Sequence, residues 1–122
     1  MRPKIRVFIP AMIFLAQIIN SPYAKSAGEE GDPRAGKADW IGAGCYSCHG
    51  YAAQGAEDTG PQLTKHAWTF EVFSQIVRNP ISVMPPFTKK LLSDDELRNI
   101  MAYVNSIHQH KKNKNENIGS GK

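Results

Sequence analysis

Cys45, Cys48 and His49 fall within five consecutive residues, Cys-Tyr-Ser-Cys-His, and no other stretch of this 122-residue chain so directly implies chemistry. Cys-x-x-Cys-His is the attachment sequence of c-type haem. Two cysteine sulfurs spaced by one helical turn reach two neighbouring haem vinyl groups as thioethers, and the imidazole that follows is held beneath the iron as its axial ligand. Other uses of these residues match less well. Structural zinc takes four ligands, usually from two such cysteine pairs or from one pair and two spaced histidines, and the chain has only 2 cysteines. A thioredoxin-like dithiol sits in an α/β fold, whereas no alternating strand pattern occurs along this sequence. A disulfide between Cys45 and Cys48 closes too short a loop to add much stability. The motif therefore predicts a single covalently attached haem c, with its iron.

Helices must position this motif. Pro33 suits the first position of a helix over Pro33 to Ala43, with Trp40 and Ile41 as its bulky apolar residues. Gly55, Gly60 and Pro61 mark residues 51–65 as a loop. Thr69 then stands where it would cap a helix to about Arg78, in which Phe70, Phe73, Ile76 and Val77 recur at helical spacing and Asn79-Pro80 ends the run. Pro80, Pro85 and Pro86 force an extended loop over residues 81–92. Ser93 and Glu96 form a capping box, and Leu97, Ile100, Met101, Val104 and Ile107 make one apolar stripe on the helix that follows. From His108 on, Lys and Asn dominate and Ile118 is the one bulky apolar residue, so residues 111–122 are expected to be a flexible tail. These elements give an all-α fold with long loops.

The order of these features resembles a small bacterial class I cytochrome c with one haem, over about residues 33–107. Ile41, with Trp40 beside it, stands four before the first cysteine; then come Cys45 to His49, Gly60-Pro61-Gln62-Leu63, Met84-Pro85-Pro86-Phe87 and an apolar terminal helix. The resemblance implies helices wrapped around the haem, with the first and last packed together. It implies that the Pro61 carbonyl accepts the second ring N–H of His49, which would fix the tautomer and raise ligand basicity. It also poses the question of the second axial ligand. Met84 is the candidate, since its loop is stiffened by prolines and can aim a thioether at a fixed point. Met101 lies on the apolar stripe and reads as core, and His66, His108 and His110 are rivals by residue type alone. Similar proteins use basic and indole donors for the haem propionates, which makes Arg78 and Trp68 candidates for that role. Leu63, Phe70, Phe73, Phe87 and Leu97 are candidates for lining the haem. Tyr103 is expected against the first helix near Gly36.

Composition restricts the function further. The chain carries 15 Lys and Arg against 11 Asp and Glu, yet Arg2, Lys4, Arg6 and Lys25 belong to a start that reads as a secretory signal. A basic opening leads into an apolar run from Val7 to Ile19, too short for the roughly 20 residues that span a bilayer, and small residues Ala24 and Ser26 follow. Residues 1–26 are thus expected to be removed on export to the periplasm, leaving a cytochrome c domain over residues 27–110 ahead of the tail. From Ala27 to His110 the balance is 7 positive to 10 negative, which gives no basic face for nucleic acid. The expected function is a one-electron carrier, a monomer when free, rather than an enzyme. Its donor would be a periplasmic dehydrogenase or quinol-oxidising complex, and its acceptor a terminal oxidase or peroxidase. Two alternatives stand beside it: a haem-based ligand binder or small haem enzyme with an open sixth site, and a haem-bearing subunit of a larger dehydrogenase.

Overall fold

The first helix begins where Asp32, in extended conformation, accepts the Arg34 amide on its carboxylate at 2.8 Å, with Pro33 filling the first helical position. This side chain satisfies a donor that the helix cannot, and proline there sacrifices no hydrogen bond. The computed structural model describes residues 30–119, so the expected signal at residues 1–26 lies outside the described residues. Four helices follow in order: α1 (Pro33–Gly42), α2 (Tyr46–His49), α3 (Phe70–Arg78) and α4 (Asp94–Gly119). Among the described residues there is no strand, only an isolated bridge between Ala56 and Gly60, and the fold is all-α.

The α1–α4 crossing organises the core. Gly36 meets the backbone of α4 at Asn99, where any Cβ would overlap the Asn99 carbonyl. Only glycine permits that approach. Asn99 then ties the crossing on both sides: its Oδ1 accepts the Asp32 amide at 2.8 Å and its Nδ2 donates to Asp39 at 3.2 Å. Trp40, Leu97, Ile100 and Val104 are fully buried behind this contact, and Phe73 and Val77 from α3 complete the layer. Tyr103 packs one turn beyond the expected place, against Trp40 rather than Gly36, and its hydroxyl donates to the Tyr51 carbonyl at 2.8 Å.

Helix α4 starts with the expected capping box. The Ser93 amide donates to the Glu96 carboxylate at 2.7 Å, and the Glu96 amide donates to the Ser93 hydroxyl at 3.2 Å. The Ser93 hydroxyl also donates to the Glu96 carboxylate at 2.7 Å, and this bond, with that from the Ser93 amide, holds the Glu96 carboxyl below its ordinary pKa. Ser93→Ala is expected to lower unfolding stability by about 0.5–2 kcal/mol without altering the absorption spectrum. An unchanged denaturation midpoint would place the start of the helix elsewhere.

The segment expected to be a flexible tail is instead helical as far as Gly119. Composition alone sees no apolar surface there, but an existing helix extends cheaply once nucleated, and two side chains anchor this one. The His108 ring donates from Nδ1 to the Thr64 carbonyl at 3.0 Å, and the Lys111 ammonium donates to the Thr64 hydroxyl at 3.0 Å. Thr64 is buried, so these are contacts to the body of the protein. A chain ending at Ile107 is therefore expected to lose about 1–3 kcal/mol, the worth of two hydrogen bonds, with its spectrum unchanged. Equal urea midpoints for the two lengths would contradict this.

Candidate haem site

The attachment motif sits on a single turn. The α1 helix ends by passing the Trp40 carbonyl to the Cys45 amide at 3.1 Å, and the His49 amide donates back to the Cys45 carbonyl at 3.0 Å to close α2. The loop that follows and α1 together satisfy the carbonyls at the end of this turn. Cys48 accepts the Thr59 hydroxyl at 3.0 Å, His49 accepts the Gly55 amide at 2.8 Å, and Gly50 accepts the Trp40 indole at 3.2 Å. The motif is thus held from both sides before any cofactor is considered.

His49 is 8% exposed, and its Nδ1 lies 2.9 Å from the Pro61 carbonyl. A carbonyl can only accept, so Nδ1 carries the proton and the lone pair is left on Nε2. Gly60 makes this possible: a Cβ there would come within 2.7 Å of the Cys48 carbonyl and 3.0 Å of His49 Nδ1. The loop reaches the histidine because residue 60 has no side chain.

Cys45 and Cys48 are not joined in a disulfide. Burial pushes the Cys45 thiol up to about 11, so at neutral pH it is an apolar S–H group, not a thiolate. Cys48 is exposed. Among the described residues no group of three or more His, Cys, Asp or Glu gathers as a metal cluster, so the pair lacks the companions that a four-ligand zinc site requires.

Both thiols and His49 face one cavity of about 560 Å³. That size is within the ~300–1,000 Å³ of small-molecule and cofactor sites. Its wall is predominantly apolar, with Trp40, Leu63, Phe73, Phe87, Leu97 and Ile100 among the lining residues, and Met84 joins them from the loop after α3. Among the described residues that line it, His49 is the one histidine and Met84 the one methionine. Met101 is 6% exposed in the core and does not line the cavity. His66 lies against Trp68 at 4.4 Å between ring centroids, His108 is bonded to Thr64, and His110 is exposed on α4. The residues present fit a haem: two thiols, an oriented imidazole and a thioether around an apolar slot.

Residues 31–104 match the family model described as Cytochrome C oxidase, cbb3-type, subunit III. The chain belongs to this cytochrome c family. Comparison with curated proteins and with solved structures gives no match. Haem-based electron transfer is the general chemistry of this cytochrome c domain. Three of the expected site features need correction within it. Arg78 does not line the cavity, and its terminal nitrogens donate to the carbonyls of Phe87 and Leu92 and to Asp94. The Trp68 indole donates to the Leu63 carbonyl at 2.7 Å, although its ring does line the cavity. Phe70 lies under the Arg98 guanidinium, 3.7 Å from ring centroid to carbon, and not on the cavity wall. Sequence reasoning missed the hydroxyl of Thr59 and the indole bond of Trp40; only the position of Trp40 five residues before Cys45 offered a signal.

Proposed function

We propose that this cytochrome c domain is an exported one-electron carrier with His49 and Met84 as the axial ligands of one haem c. The observation that carries the reading is the convergence of Cys45, Cys48, an oriented His49 and Met84 on one apolar cavity. When bound, the haem supplies the Fe(III)/Fe(II) couple. Cys45 and Cys48 would hold the group as thioethers, each thiol adding its sulfur to one carbon and its hydrogen to the other carbon of a vinyl group, with no net oxidation. His49 presents Nε2 because Pro61 holds Nδ1–H, which fixes the tautomer and the orientation of the ring. Met84 would supply a thioether ligand, which would raise the reduction potential and keep the iron closed to substrate. The apolar walls exclude water, and the work left to the protein is transfer across a contact with a partner. Ile81 and Val83, on the loop that carries Met84, line the same cavity and add to its apolar wall.

Donor and acceptor are redox proteins of the periplasm: a dehydrogenase or quinol-oxidising complex on one side, a terminal oxidase or peroxidase on the other. Among the described residues no helix is long and apolar enough to cross a membrane. A second reading, a permanently held subunit of a larger redox enzyme, is favoured by the match to a family of oxidase subunits. Gel filtration of the haem-loaded chain from its native membrane-free extract separates the two: elution as a monomer supports the carrier, and co-elution with a larger oxidoreductase supports the subunit. Acid denaturation followed by organic extraction tests attachment itself. The colour should stay on the chain, and a freely extracted haem would overturn the proposal.

A further inference from the structure

Residues 80–86, which carry Met84, make no hydrogen bond among the described residues. Three prolines stiffen this segment but cannot hold it in place, so its position is set at its two ends. Both ends meet at the close of α3. The Phe87 amide donates to the Val77 carbonyl at 3.1 Å, and the Phe87 carbonyl accepts from Arg78 at 2.8 Å. The same guanidinium nitrogen donates to the Leu92 carbonyl at 2.7 Å, while the other terminal nitrogen donates to Asp94 at 2.9 Å. Asp94 also accepts Lys89 at 2.7 Å, and Lys89 together with Arg78 holds its carboxyl below the ordinary range. Arg78 thus ties α3, both flanks of the loop and the first turn of α4 to one planar group.

We propose that Arg78 is the positioning residue for Met84: its guanidinium closes the neck of the 80–86 loop and so fixes where the thioether stands in the cavity. The proposal rests on Met84 as the axial ligand. A guanidinium suits the task because its fork of donors meets several acceptors in one plane, and an ammonium on a flexible stem cannot reproduce that geometry. Its Nε is buried with no partner among the described residues, so the terminal nitrogens make all of the bonds that close the neck. Without the clamp, the loop keeps its prolines and the single Val77–Phe87 bond, and Met84 samples positions away from the iron.

The test uses the haem-loaded full chain with Arg78→Lys and, separately, Asp94→Asn, which leaves both carbonyl bonds of Arg78 in place. Two readouts follow Met84 rather than overall stability: the weak red absorption of iron–thioether bonding, and the rate at which carbon monoxide binds the reduced protein, each taken well below thermal unfolding. For Arg78→Lys the rate should rise about tenfold, the factor that losing one charge-assisted hydrogen bond implies, and the red band should fade before the helices melt. Asp94→Asn should shift both in the same direction by less. If Arg78→Lys melts earlier with its rate and band unchanged below the transition, the residue is a structural staple and the proposal is overturned. Should Arg78→Lys not fold, Asp94→Asn decides, and an unchanged carbon monoxide rate overturns the clamp. A parent protein without the red band would instead remove Met84 as ligand, a failure distinct from a parent with the band and two variants that leave it unmoved.

Discussion

Met84→Ala is expected to turn the closed haem site into an open one. The oxidised protein should lose its red absorption, the reduced protein should bind carbon monoxide readily, and the reduction potential should fall, because the thioether stabilises the reduced state relative to a harder ligand or water. Met101→Ala is the matched comparison. Met101 is 6% exposed between α4 and the rest of the core, away from the cavity, so its truncation should cost about 2–5 kcal/mol through a packing void and leave the spectrum alone. If Met101→Ala rather than Met84→Ala abolished the red band, the assignment would be reversed. The difference arises from placement alone, since the two side chains are chemically identical.

The second large effect concerns attachment and folding together. With Cys45→Ala and Cys48→Ala combined, extraction by acid and organic solvent should remove all of the haem, where the parent should retain it. The cavity of about 560 Å³ is bounded by residues from α1, the loop after α2, α3 and α4, so whatever fills it joins every part of the core. A domain this small, with so much loop, buries little apolar surface of its own. Binding to the folded state alone stabilises that state by mass action. The double variant should therefore show a lower melting temperature that depends on added haem, measured by circular dichroism. Haem that survives extraction from the double variant would show that the attachment lies elsewhere.

Much of the site could be read from the sequence because it is local. Cys45 to His49 is contiguous, Gly60-Pro61 lies a fixed short step away, and Met84 is marked by the prolines around it. The helices were legible for the same reason: α1 has its proline, α3 its spacing, and α4 its reciprocal Ser93–Glu96 bonds. What escaped were contacts set by packing between distant segments. Arg78 has the residue type of an anion binder, and nothing in its neighbours reveals that Phe87, Leu92 and Asp94 will converge on it. The helical continuation to Gly119 depends on Thr64, more than 40 residues earlier in the chain, accepting His108 and Lys111. A lysine-rich composition reads as a solvated end unless that partner is known.

The central claim, a closed haem iron held by His49 and Met84 for electron transfer, is tested most directly by one absorption experiment on the unaltered protein, oxidised and reduced, with and without carbon monoxide. Low-spin six-coordinate spectra in both states, the weak red band when oxidised and little change on adding carbon monoxide are the expected results. Ready binding of carbon monoxide by the reduced protein would contradict the claim and assign the chain to ligand binding or small-molecule chemistry at an open iron.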